Sequence, residues 1–241
     1  MHQALYRVYR PKTFDDIVGQ EHITSVLKNQ VAEDTVNHAY LFCGPRGTGK
    51  TSTAKVLARA VNCTGEIKPC YQCKSCEQSS LDIIEMDAAS NNSVDNIRDI
   101  RDNIVFMPSV SRYKVYIIDE VHMLSQGAFN ALLKTLEEPP SHVIFILATT
   151  EPQKIPATVL SRCQRFDFKK IDDSILTQQL EKVLLQEGKE FEADAVQCIV
   201  QKSDGGMRDA LSLLDKVMNL SKLTKQEVIQ ALGEVQEETY L

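Results

Sequence analysis

The spacing of apolar positions changes character about two-thirds of the way along the chain. Before that point, short apolar runs alternate with segments whose apolar residues fall three and four apart. Ala39-Tyr40-Leu41-Phe42-Cys43 is the first run of strand length, and Ala54, Leu57 and Val61 after it keep a helical period. Leu81 to Asp87 and Lys114 to Glu120 predict further strands. Val143 to Ala148 is apolar throughout, the pattern of a parallel strand covered on both faces. Arg165 to Phe168 predicts the last strand. Ile23, Leu27 and Val31 mark a helix ahead of the first strand, and Ile97, Ile100 and Ile104 mark one over Asn91–Asn103. Phe129, Leu132, Leu133 and Leu136 mark a third, which stops at Pro139-Pro140 because proline cannot continue a helix. From about Ile171 only helices follow, carried by Leu176, Leu180 and Val183, then Val196, Ile199 and Val200, then Ala210, Leu213, Leu214 and Val217. Thr224-Lys225-Gln226-Glu227 is a capping box that opens a fourth. Alternating strands and helices followed by helices alone predict two domains, an α/β domain over residues 1–170 and a helical one over 171–241.

Composition narrows the class. Of 241 residues, 43% are hydrophobic and 25% charged, the balance of a globular chain with a core to bury. No apolar run approaches the ~18 residues of a membrane span, and Met1 to Arg7 lacks the apolar core of a signal peptide. A cytoplasmic protein without a membrane partner is expected. The net charge of −6 means that a nucleic-acid partner must be met by a local basic patch. Arg98 and Arg101 share a helix face and suit a phosphate backbone, but they alternate with Asp95, Asp99 and Asp102, which favours a solvated charged face.

The candidate chemistry centres on Gly44-Pro45-Arg46-Gly47-Thr48-Gly49-Lys50-Thr51, which reads G-x-x-x-x-G-K-T between a predicted strand and a predicted helix. Unpaired N–H groups at the helix start, with the helix dipole, favour a polyanion there. Gly44, Arg46, Gly47, Thr48, Gly49, Lys50, Thr51 and Ser52 are therefore the expected nucleotide-binding residues, with Lys50 on the β/γ-phosphates and Thr51 on Mg²⁺. The strand predicted over Lys114 to Glu120 ends in the two carboxylates Asp119-Glu120. The first acid suits Mg²⁺ and the second a water that attacks the γ-phosphate. Val143 to Ala148 ends in Thr149-Thr150, which puts hydroxyls at the carboxyl end of a strand, where open α/β sheets bind ligands.

Between the loop's helix and the next strand lies Cys63-x₆-Cys70-x₂-Cys73-x₂-Cys76. Four thiolates in so short a span suit a closed tetrahedral zinc site of structural type. An iron–sulfur cluster is the rival, although there the fourth cysteine lies downstream and is followed by proline. Plain thiols are the third reading. Cys43, Cys163 and Cys198 are isolated and read as core residues.

Taken in order, Arg10-Pro11-x-x-Phe14-Asp15-Asp16-Ile17-Val18-Gly19-Gln20, Gly44–Thr51, the four cysteines, Asp119-Glu120-Val121-His122-Met123-Leu124, Ala148-Thr149-Thr150 and Ser161-Arg162-Cys163 resemble the AAA+ clamp-loader ATPases. The cysteine insert narrows the resemblance to the gamma/tau family of bacterial DNA polymerase III. The resemblance spans the whole chain. It implies an AAA+ P-loop NTPase domain, with a five-stranded parallel sheet flanked by helices and a zinc module at about residues 63–80, followed by a small all-α lid. It further implies a polar sensor at Thr150 and an arginine finger at Arg162 that completes a neighbouring subunit's site. Arg208 would be a second sensor on the lid, and Arg10, Pro11 and Val18 an adenine cradle. The implied cofactors are ATP, Mg²⁺ and structural Zn²⁺. The implied partners are other loader subunits in a pentamer, the sliding clamp and primer–template DNA. Family members hold the opened clamp with ATP and release it by hydrolysis. They continue into a helical collar, whereas these residues resemble the two ATPase domains alone. No constellation for nucleotide polymerisation is present, so any polymerase label belongs to the holoenzyme. A DNA-translocating motor or helicase is the alternative, for which no aromatic pore loop is seen. An ATP-gated scaffold without turnover is the other, and the complete set Lys50, Asp119 and Glu120 argues against it.

Overall fold

The computed structural model describes residues 3–78 and 81–233. Ser79 and Ser80, at the end of the expected cysteine module, and the last eight residues of the expected helical domain lie outside the described residues. Five strands, β1 (Ala39–Cys43), β2 (Ile83–Asp87), β3 (Lys114–Asp119), β4 (Val143–Thr149) and β5 (Gln164–Asp167), pair in parallel in the order β2-β3-β4-β1-β5. The expected five-stranded parallel sheet is thus the observed one. The helices, in chain order, are α1 (Leu5–Val8), α2 (Glu21–Ala32), α3 (Lys50–Ala60), α4 (Lys74–Glu77), α5 (Val94–Asn103), α6 (Gln126–Glu137), α7 (Ala157–Leu160), α8 (Asp173–Gln186), α9 (Ala193–Lys202), α10 (Met207–Val217) and α11 (Lys225–Ala231).

The sheet's two faces follow from alternation along each strand. Tyr40, Phe42, Val115, Ile117, Ile144 and Ile146 face one way, and Leu27 of α2 and Leu57 of α3 join them in one core. Leu41, Tyr116, Ile118, Phe145 and Leu147 face the other way and pack with Ile97 of α5 and Phe129 and Leu132 of α6. Every residue of β4 is buried, as its unbroken apolar run predicts. Leu133 is only partly buried, at the margin of the α6 stripe. Asp82, just ahead of edge strand β2, is buried and accepts backbone N–H bonds from Ser109 at 2.6 Å, Val110 at 2.9 Å and Ser111 at 2.8 Å. Burial alone would raise its pKa. The three N–H groups outweigh burial and hold the carboxylate below its ordinary value, and so fix the turn that leads into β3.

The chain divides into two compact units. One, Pro11–Gly44 with Lys50–Phe168, carries the sheet. The other comprises Met1–Arg10, Pro45–Gly49 and Lys169–Leu241. Its core joins Leu176, Leu180, Val196, Ile199, Ala210, Leu214 and Val228 from α8 to α11. Leu5 is buried in that same core, and Tyr9 donates to Glu187 Oε1 at 2.6 Å. Residues 3–10 therefore group with the helical unit rather than with the α/β domain expected from sequence. One apolar turn of helix with no strand nearby in sequence carries no sign of which core it will join. Thr224 caps α11 by accepting from Glu227 N at 3.3 Å, as the capping box predicts. Among the described residues no helix is long and apolar enough to cross a membrane.

Candidate nucleotide site and cysteine cluster

The phosphate-loop sequence leaves the carboxyl end of β1 and opens α3 at Lys50. Gly44 N donates to Thr149 O at 3.2 Å, which ties the start of the loop to the end of β4. Gly44 has φ +144°, and a Cβ there would lie 2.4 Å from Phe168 O, so no side chain fits. Thr48 is buried, its Oγ1 donating to Pro45 O at 2.9 Å, while Arg46 is exposed and Ser52 half-buried. Lys50 is buried with Nζ donating to Gly44 O at 2.7 Å. Burial lowers the Lys50 pKa, while the Glu120 and Asp119 carboxylates pull it back up.

The adjacent strand ends bring oxygen ligands to the same end of the sheet. Thr51 Oγ1 donates to Asp119 Oδ2 at 2.6 Å, and Glu120 N donates to Asp119 Oδ1 at 2.9 Å. This pair offers the hard oxygen donors that Mg²⁺ takes. Glu120 sits in the left-handed region, φ 47° and ψ 44°, where β3 turns into the Val121–Met123 turn. Thr150 Oγ1 donates to Glu120 Oε2 at 3.1 Å. Lys50, Thr51, Asp119, Glu120 and Thr150, scattered through a hundred residues, thus meet at one end of the sheet.

Other predicted positions have surroundings of their own. Pro11 and Val18 are half-buried in the sheet-bearing unit, and Arg10 is exposed. Arg162 follows α7, where its guanidinium donates to Thr158 O at 2.7 Å and to Glu137 Oε1 at 2.9 Å. Arg208 on α10 stacks over the Tyr6 ring, 5.3 Å from its centroid. Arg98 and Arg101 pair with Asp95 and Asp102, each at 2.9 Å, on an exposed face.

The cysteine module lies between α3 and β2. The sulfurs of Cys63, Cys70, Cys73 and Cys76 all fall within 4.8 Å of one another. A tetrahedral ion with ~2.3 Å sulfur bonds sets its ligands about 3.8 Å apart, so this spread suits a single ion. A multi-iron cluster, with iron and sulfide between the thiolates, would hold them wider. Cys63 Sγ accepts N–H bonds from Cys70 at 3.2 Å and Gly65 at 3.4 Å, and Cys70 Sγ accepts from Cys73 at 3.3 Å. Gly65 is required by space, because a Cβ there would lie 2.7 Å from Cys70 Cβ. Cys73 is drawn down to about 6, as hydrogen bonds from Thr64 and Cys76 overcome a burial that alone would raise it. The isolated thiols differ from this. Burial pushes Cys43 up to about 11 and Cys163 up to about 12, which makes both inert at neutral pH. Cys43 is fully buried, while Cys163 and Cys198 are half-buried against the core margins.

Sequence reasoning assigned no role to two groups beside these sites. His122, part of the acid motif, is buried within reach of Thr149, Glu120 and Glu151. Its position two residues after Glu120 was the available signal. Tyr71, between two cysteines, donates to Lys12 O at 2.6 Å beneath the Arg59 guanidinium and so ties the cysteine module to the N-terminal arm. Nothing in its spacing announces that.

Comparison with known proteins extends these observations. Residues 19–172 match the family model described as DNA polymerase III, delta subunit. Residues 175–222 match the DNA polymerase III clamp loader subunit, ATPase lid domain. The DNA polymerase III subunit tau of Bacillus subtilis is 59% identical over 226 residues, 91% of this chain and 40% of that protein. The DNA polymerase III subunit gamma of Buchnera aphidicola subsp. Baizongia pistaciae is 42% identical over 248 residues, 100% of this chain and 67% of its own length. The chain thus spans well under half of the Bacillus relative. Among solved structures, the RuvB Holliday junction branch migration motor of Thermotoga maritima superposes with a TM-score of 0.71 at 20% identity, covering 93% of this chain and 72% of that one. This last likeness is one of fold. By its family models and by the extent of its identity to the Buchnera subunit, the chain belongs to the gamma/tau family of DNA polymerase III clamp-loader subunits.

Proposed function

We propose that this chain is the ATP-binding and ATP-hydrolysing part of a bacterial clamp-loader subunit, working in the cytoplasm. Within an assembly of loader subunits it would use ATP to hold an opened sliding clamp and place it on primed DNA. The observation that carries this reading is the 2.6 Å bond between Thr51 and Asp119, with Lys50 and Glu120 alongside. A scaffold that only binds nucleotide has no use for the acid pair.

In this reading Lys50 gives up Gly44 O for the β- and γ-phosphates, and the loop's N–H groups hold the remaining phosphate oxygens. Mg²⁺, held by Thr51 Oγ1 with Asp119 behind it, would neutralise charge on the β- and γ-phosphate oxygens. Thr150 steadies one Glu120 oxygen so that the other can accept a proton from the attacking water. Arg162 offers its guanidinium to a neighbouring subunit's γ-phosphate, and Arg208 reports nucleotide from the lid. Arg10, Pro11 and Val18 line the adenine. The helicase alternative has only a shared fold behind it.

ATP turnover tests this. The isolated chain is expected to hydrolyse ATP slowly. The full-length subunit with its loader partners, clamp and primed DNA is expected to be many-fold faster. A rate already maximal in isolation and indifferent to clamp and DNA would sink the proposal.

The cysteine cluster we assign to structural zinc. Four sulfurs close the coordination sphere, leaving no open position for chemistry. Purified protein is expected to carry about one zinc per chain, and Cys73→Ser to lose most of it and expose the module to protease. Zinc below about half an equivalent in native protein, with no iron, would end this assignment.

A further inference from the structure

The His122 side chain is only 6% exposed, yet both ring nitrogens face oxygen. Nδ1 lies 2.9 Å from Thr149 Oγ1 in a hydrogen bond and 3.4 Å from Glu120 Oε2. Nε2 lies 3.3 Å from Glu151 Oε1. Glu151 is held in turn, its N donating to Thr149 Oγ1 at 3.0 Å and its carboxylate paired with Lys154 at 2.8 Å. The imidazole is therefore a strut between the carboxyl ends of β3 and β4, with the Glu120 carboxylate on one side and the Glu151 turn on the other.

We infer that His122 is a positioning residue for ATP hydrolysis, fixing the Glu120 carboxylate through its Nδ1 side and anchored at Nε2 by Glu151. This deepens the ATPase reading above and rests on it. The residue two before the strut explains the need. Glu120 leaves β3 in a left-handed conformation, so the strand ladder does not continue through it to aim its side chain. Thr150 reaches Oε2 by one hydrogen bond, and His122 approaches the same oxygen from a second direction. Two contacts, one a hydrogen bond and one a close approach, thus converge on one oxygen of the carboxylate. Among the described residues Oε1 carries no protein hydrogen bond, which leaves it for the water. Both nitrogens of the ring thus meet oxygen, as a buried polar group requires, and it is the closeness of the Glu120 carboxylate, at 3.4 Å, that links the ring to the chemistry.

The inference separates from simple packing in kinetics. Misplacing a reacting group by about an ångström costs up to about 10²-fold in rate. In the full-length subunit, assembled with its partners, clamp and primed DNA, His122→Leu fills the space without hydrogen bonding. It is expected to lower kcat about 10- to 100-fold, with nucleotide affinity within about twofold. His122→Asn, which keeps a polar group near the Nδ1 position, should recover part of the loss. Glu151→Ala removes the anchor from a partly exposed position where folding is not at stake, and should lower kcat several-fold with affinity kept. Wild-type kcat in both His122→Leu and Glu151→Ala would overturn the inference, as would a loss confined to nucleotide affinity. If His122→Leu fails to fold, the Glu151→Ala kcat alone decides. Glu120→Gln in the same assembly serves as control. If it hydrolyses ATP like wild type, another group takes the proton and the Glu120 reading beneath the strut fails, whereas an inactive Glu120→Gln beside fully active His122→Leu and Glu151→Ala rejects the strut alone.

Discussion

Replacing Arg162 with alanine is expected to cut ATP turnover of the assembled loader by about 10³-fold while ATP binding by the isolated chain survives. The guanidinium is engaged within its own subunit, by Thr158 O and Glu137 Oε1. Those bonds do not argue against a role elsewhere. The Arg162–Glu137 pair is half-exposed, and such pairs contribute at most about 1 kcal/mol. A thousandfold rate effect corresponds to about 4 kcal/mol of transition-state stabilisation. In the proposed reading the larger interaction would displace the smaller one when a neighbouring subunit presents a charged phosphoryl group. The check pairs nucleotide binding by the variant alone with turnover in the assembly. Loss of binding in isolation would show that Arg162 acts within its own chain.

Glu120→Gln is expected to lower the hydrolysis rate by about 10²- to 10⁴-fold and to leave ATP bound. The amide is nearly isosteric and can still accept from Thr150, so the variant changes basicity and little else. Single-turnover hydrolysis with pre-bound ATP reads the chemical step directly. The clamp should stay engaged with the loader, since hydrolysis is what releases it in this reading. An unaltered single-turnover rate would mean that another group takes the proton.

Much of this architecture could be read in the sequence, for reasons specific to each element. β4 was legible because burial on both faces demands apolar residues at every position, and β3 because its apolar run stops at two carboxylates. The cysteine cluster was legible because four thiols in so short a span are the pattern a tetrahedral ion asks of its ligands. The start of α5 was placed two to three residues early, because Asn91 and Asn92 suit a helix start but Ser93 supplies the cap and closes a box with Asn96. What stayed hidden depends on partners distant in sequence. Leu5 looks like any apolar residue until α8 to α11 assemble a core around it. Arg162 shows no sign of Glu137, and Tyr71 none of Lys12, because a single ion pair or hydroxyl bond leaves no periodic trace. His122 stood in a recognised motif, but its meaning depends on Thr149 and Glu151, which belong to another strand's end.

The left-handed backbone at Glu120 bears on how such a protein tolerates change. A non-glycine residue in that region carries of order 1 kcal/mol or more of strain, of the kind that collects at functional sites. Glycine or asparagine would relax it and remove the acid. At position 120, then, glycine would favour folding stability whereas the proposed mechanism calls for glutamate. On the proposed mechanism, a search for hardier variants that scored only thermal survival would drift toward inactive chains at this position.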